Sequence, residues 1–201
     1  MKRKLLILSV LVICVATLAA GTLAFFTSDE AAHNVITTGK VAVTLNEYAD
    51  KAQTKPFADQ TGVMPGKTIE KYVVISGNPG SASAWVRVRF DITIRLDENN
   101  PKVPSGFTPD TTLVTLATGK DWTKGADGWY YYAKPLAAGE KTAPALETVT
   151  FAPAMGNEYQ NAAATVAVLA QAVQTANNGK TAAEAQGWPS TTGGTATAVT
   201  G

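Results

Sequence analysis

A chain of 201 residues and 21.0 kDa holds one domain of ordinary size with short appendages. Charged residues make up 16% and apolar residues 45%, which excludes a charge-driven disordered chain, and 17 basic against 16 acidic residues leave a net charge of +1, which excludes the basic field that nucleic acid requires. A single cysteine, Cys14, and a single histidine, His33, exclude a disulfide framework, a Cys/His zinc site and any mechanism that needs both.

The first element in chain order is an export signal. Lys2, Arg3 and Lys4 form a basic cap, and no charge follows until Asp29. The most apolar part, residues 5–15, has signal-peptide length and gives way to a small-residue stretch over residues 16–24. Thr22 and Ala24 supply the small residues before a cut between Ala24 and Phe25, and nothing basic follows to stop transfer. Cleavage removes Cys14 and three positive charges, so +1 minus 3 leaves a cysteine-free chain of about −2. The expected organisation is a signal over residues 1–24, an arm over 25–39, a β domain over 40–188 and a flexible Thr/Gly tail over 189–201. Contact with a membrane is expected only through the uncleaved signal.

After the arm the hydrophobic period becomes two, the mark of half-buried strands. Val41, Val43 and Leu45 alternate with polar residues. Over residues 84–97, Val86, Val88, Phe90, Ile92, Ile94 and Leu96 form a core face, while Trp85, Arg87, Arg89, Asp91, Thr93, Arg95 and Asp97 form a wet one. Further runs stand at 68–75, 113–116, 129–132 and 147–151, separated by turn signals such as Met64-Pro65-Gly66 and Asn78-Pro79-Gly80. Residues 162–176 are alanine-rich, yet alternation on two faces favours a buried strand. Residues 181–186 read as a short helix. Short runs with no βαβ rhythm predict an all-β, antiparallel two-sheet sandwich.

Motifs with possible chemistry are weak. Gly62 to Thr68 imitates a P-loop, but three residues separate its glycines where four are needed, and a strand follows where a helix is needed. The Asp97-Glu98-Asn99-Asn100 cluster has calcium-type oxygens, but Pro101 interrupts the ligand spacing, and a solvated hairpin tip is expected. Glu30 and His33 suggest zinc, yet there is no HExxH pair, and the one histidine would have to be joined by carboxylates scattered elsewhere. There is no Gly-x-Ser-x-Gly elbow. Trp122, Trp129, Tyr130, Tyr131 and Tyr132 suit either a sugar-stacking face or cross-strand packing, with packing expected. No catalytic residue, metal ligand or cofactor is assigned, and the chain is not expected to be an enzyme.

Several pieces in a shared order carry a resemblance. They are the signal end with Leu23-Ala24-Phe25-Phe26-Thr27-Ser28, Asn34-Val35-Ile36-Thr37-Thr38-Gly39-Lys40-Val41, Met64-Pro65-Gly66-Lys67-Thr68, the turn at Gly77-Asn78-Pro79-Gly80-Ser81 with Ala84-Trp85-Val86-Arg87-Val88, Asp127-Gly128-Trp129-Tyr130-Tyr131-Tyr132, Gly139-Glu140-Lys141-Thr142, and Ala170-Gln171-Ala172-Val173-Gln174 with Trp188. Together they resemble the TasA/camelysin-type exported proteins of Gram-positive bacteria, whose signals are processed by a SipW-type peptidase. The resemblance implies a secreted jelly-roll-like sandwich that serves as a biofilm-matrix or cell-surface fibre subunit. One copy's N-terminal segment would complete the sheet of the next, with Phe25, Phe26, Val35 and Ile36 as interface candidates. Other matrix or cell-surface components are further partner candidates. A monomeric adhesin and a camelysin-like surface metallopeptidase are the alternatives, the latter without a zinc motif to support it.

Overall fold

The computed structural model describes residues 33–37, 40–60 and 63–189. Among them are nine strands: β1 (His33–Thr37), β2 (Val43–Tyr48), β3 (Thr68–Gly77), β4 (Ala84–Arg95), β5 (Val114–Ala117), β6 (Trp122–Lys124), β7 (Tyr130–Tyr132), β8 (Leu146–Phe151) and β9 (Ala163–Gln174). They form two sheets, ordered β1-β9-β4-β7-β6 and β2-β3-β8-β5. Every strand pair is antiparallel except β1 with β9, which is parallel. The predicted all-β, two-sheet architecture is present.

The centre of the larger sheet is the β4–β9 ladder, which runs without a break from Ala84 opposite Gln174 to Arg95 opposite Ala163. Period-two alternation puts Val86 and Val88 on its inner face beside Val168, Ala170 and Ala172, all buried. Leu146, Val149 and Phe151 of β8 and Val73 and Ile75 of β3 are among the buried residues of the facing sheet. Alanines on β9 leave room for Trp122, Tyr132 and Leu136, which fill the same side. The two sheets are laced together by residues 136–145. Leu136 exchanges backbone bonds with Ala84, and then Gly139 donates to Gly77, Thr142 to Ile75 and Ala145 to Val73. The Thr142 hydroxyl also accepts from the Ile75 amide. This continues the edge of β3 past the irregularity between Glu70 and Val73, where its pairing with β8 shifts.

A buried ion pair closes one part of the smaller sheet. Lys71 Nζ lies 2.8 Å from Glu47 Oε2 with side chains only 5% and 7% exposed, and the Phe57 ring covers the ammonium at 4.5 Å. The covering segment is fixed by Asp50, whose carboxylate accepts from the amides of Thr54 and Lys55.

Three expectations are corrected. Residues 181–186 make a single turn, in which the Thr181 carbonyl accepts from Glu184 and Ala185, and not a helix. The short helices described are 3-10 turns at Thr111–Leu113 and Asn157–Tyr159. Residues 97–100 turn as expected, with Asn100 donating to the Asp97 carbonyl, but they do not join two strands of a hairpin. Asn100 is buried there and ties the turn to residues 157–160 through the carbonyls of Asn157, Glu158 and Gln160. The third correction concerns the outer face of β4, which is wet only towards its C-terminal end.

The packing predicts two unequal substitutions. Leu146→Ala, at a fully buried position, should lower stability by about 2–5 kcal/mol. Thr93→Ala, on the exposed outer face, should cost under about 0.5 kcal/mol. Urea titration of each variant measures the difference.

Candidate functional site

Strand β9 reads Ala-Ala-Thr-Val-Ala-Val-Leu-Ala-Gln-Ala-Val-Gln, twelve residues with no charge. One edge is taken by β4 along its whole length. Along the other edge lies β1, in the register His33 opposite Val168, Asn34 opposite Leu169, Val35 opposite Ala170, Ile36 opposite Gln171 and Thr37 opposite Ala172. The rest of that edge, residues 163–167 and 173–174, has no strand partner among the described residues. A long, uncharged edge is the kind that recruits further strands unless something covers it. Here the covering strand comes from the N-terminal arm.

Of the four interface candidates, Val35 and Ile36 therefore lie in a strand on a sheet edge, at positions beside Ala170 and Gln171. Phe25 and Phe26, with the cleavage residue Ala24, lie outside the described residues, as does the flexible tail expected from residue 190 onwards. His33 is at the start of β1, opposite Val168. Among the described residues no group of three or more His, Cys, Asp or Glu side chains is placed to hold a metal ion.

The outer face of β9 and β4 next to this edge is sealed. After β9 the chain reverses through Asn177 and Gly179, both with positive φ, and folds back over the sheet. Ala182 and Ala185 pack on Trp85 and Val173, and the Trp85 indole donates to the Asn178 carbonyl at 2.7 Å. At the centre of the seal is Arg87. Its guanidinium lies between the rings of Trp129 and Trp188, 4.2 and 4.4 Å from their centroids. Its Nε and Nη2 donate to Gln171 Oε1 at 2.9 and 2.7 Å, and Gln171 Nε2 donates to the Pro189 carbonyl at 3.0 Å. Nη1 donates to the Tyr131 hydroxyl, which donates in turn to Asp127 Oδ2 at 2.6 Å.

This cluster was not legible as a unit. Alternation placed Trp85 and Arg87 on a wet face, yet Trp85 is buried and the Arg87 side chain is only 11% exposed. The available signal was Trp85 and Val173 on a supposedly solvated face, with Trp188 downstream to cover them. The aromatic residues are consumed by such contacts, as the packing expectation required. Trp122 packs on Tyr132, Tyr130 meets Phe90 edge-on, and Trp129 lies on Arg87. Among the described residues Met64, 47% exposed, is the large hydrophobic side chain left open to solvent.

Asp127 is pulled in two directions. Burial pushes its carboxyl up, but the bonds from the Tyr131 hydroxyl and the Trp129 amide, with Arg87 behind them, outweigh this and hold it below the ordinary carboxylate range. Burial, and then the bond to Asp127, push the Tyr131 phenol up. A carboxyl depressed in the folded state contributes stability above its unfolded pKa of about 3.9 and loses it as pH falls through the lower folded value. Asp50, Asp97, Asp110 and Asp121, each accepting local hydrogen bonds, shift in the same direction.

Thermal melts should therefore show a steep loss of stability below about pH 4, and Asp127→Asn should remove part of that slope. Arg87→Ala should cost about 2–4 kcal/mol, since it removes a stacked cation and leaves Gln171 without its donor. Limited proteolysis should then cut within residues 176–189 before it cuts the sheets. Arg87→Lys keeps the charge but loses the flat stack and the paired donors, so it should fall between the two.

No protein-family model, no curated protein and no solved structure matches this chain.

Proposed function

We propose that this chain is an exported structural protein of the TasA/camelysin type, a jelly-roll-like subunit of a biofilm-matrix or extracellular fibre, joined to its neighbours by strand addition from the N-terminal arm. The observation that carries the proposal is the strand at His33–Thr37, which lies along an uncharged sheet edge. An arm that can complete a sheet in its own chain has the backbone pattern needed to complete the sheet of another copy. Repeated crossings between the sheets, as from β3 to β4, β4 to β5 and β8 to β9, support the jelly-roll-like description.

The sequence of the arm fits this role. Phe25, Phe26, Val35 and Ile36 are apolar and β-prone, and a signal ending at Ala24 would tether them at the membrane until it is cut. A head-to-tail contact of this kind does not close on itself, so it produces filaments outside the cell. The role requires no catalytic residue, cofactor or metal, and the one histidine is placed in the assembly strand. An adhesive aromatic face has little support, because Trp122, Trp129, Tyr130 and Tyr132 are engaged within the domain.

The test compares two chains. One that begins at Phe25 should form filaments over hours at raised concentration, seen by negative-stain microscopy. One that begins at Gly39 should remain monomeric while keeping a cooperative thermal transition. If both sediment as monomers under every condition tried, the fibre reading fails.

A further inference from the structure

Asn178 is the only asparagine in the sequence that glycine follows. Asparagine before glycine is the dipeptide most prone to cyclise, because glycine has no side chain to shield its own nitrogen. The fold demands that glycine. Residue 179 has φ +68°, and a Cβ there would stand 3.0 Å from the Glu184 carbonyl carbon and from the Ala185 nitrogen. Gly179 is exposed, and its amide donates to no acceptor among the described residues. The Asn178 side chain, in contrast, is held at both of its polar ends. Its Nδ2 donates to the carbonyls of Gln174 and Gln186 at 3.1 and 3.0 Å, and its Oδ1 accepts from the Gln186 amide at 2.8 Å. Its main-chain carbonyl accepts from the Trp85 indole. One residue thus joins the end of β9, the turn before Trp188 and the outer face of β4.

We infer that Asn178 is a self-modification site, a slow one-way release for the cover formed by residues 176–189. The Gly179 nitrogen loses its proton and bonds to the Asn178 side-chain carbonyl carbon. The bond from that carbon to Nδ2 breaks, ammonia leaves, and a succinimide ring remains. Water then opens the ring at either carbonyl, to aspartate or to isoaspartate, and nothing else is consumed. Bringing the carbon onto the nitrogen breaks the three side-chain hydrogen bonds, so the closed cover holds the reaction back and its rate tracks the population of the open form. The product cannot close as before. A carboxylate has no proton for the Gln174 and Gln186 carbonyls and sets negative charge against both oxygens. Isoaspartate also lengthens the main chain by one carbon and displaces the carbonyl that Trp85 bonds. With the cover open, Trp85 and Val173 lose Ala182 and Ala185, and Arg87 loses Trp188 from one face. Release of this kind needs no filament and is independent of the fibre reading.

The test incubates the purified protein in warm, mildly alkaline buffer and follows the exchange of amide for carboxyl at residue 178 by mass spectrometry of peptide fragments. The folded protein should convert at least about tenfold more slowly than a free peptide spanning residues 174–182, and Arg87→Lys, which loosens the cover, should convert about tenfold faster than the unaltered protein. Equal rates in protein and peptide, or an Arg87→Lys chain no faster than the unaltered one, would overturn the inference. A second arm needs no change at Arg87. Asn178→Asp, and the unaltered protein once converted, should be cut by protease within residues 176–189 while the sheets stay intact. Resistance equal to that of fresh protein would show that conversion does not release the cover, and would refute the inference.

Discussion

The β4–β9 ladder is the constraint from which the rest of the structure follows. Twelve residues on each side pair without a bulge, and the inner halves of both strands are apolar, so register and burial fix one another. A slip of one residue would turn Val86 and Val88 outwards and Trp85 and Arg87 into the core. Once the ladder is set, β9 creates two problems. Its outer face still carries Leu169 and Val173, and its free edge is long and uncharged.

The chain solves both with its two ends. Residues 176–189 fold back over the outer face, and the stacked Arg87 converts what would be a hydrophilic surface into a buried, hydrogen-bonded seal. Residues 33–37 cover the edge. The two covers differ in kind. The C-terminal one is held by side chains that interlock, whereas the N-terminal one is a parallel strand pairing with a partner distant in the sequence.

Much of this was legible in the residues. Alternation in β4 identified its core face, and alternation on both faces of residues 162–176 correctly outweighed the helix propensity of alanine, because a strand paired on both sides can bury small residues on both faces. The arm's Val35 and Ile36 announced a β-prone segment. What remained hidden was non-local. No short-range signal states that β1 runs parallel to β9, or that Lys71, inside an apolar strand, meets Glu47. The helix expected over residues 181–186 failed for a local reason. Gly179 and Gly187 bracket it with positive φ, leaving one turn, too short to sustain itself, that serves to set Ala182 and Ala185 on Trp85.

The central claim is that the arm strand protects the edge of β9. Amide hydrogen exchange compares the chain beginning at Phe25 with the chain beginning at Gly39, both as dilute monomers. The account predicts that alternate amides within residues 168–173 lose protection when the arm is absent, while those bonded to β4 keep theirs. Equal protection of every β9 amide in the two chains would contradict it.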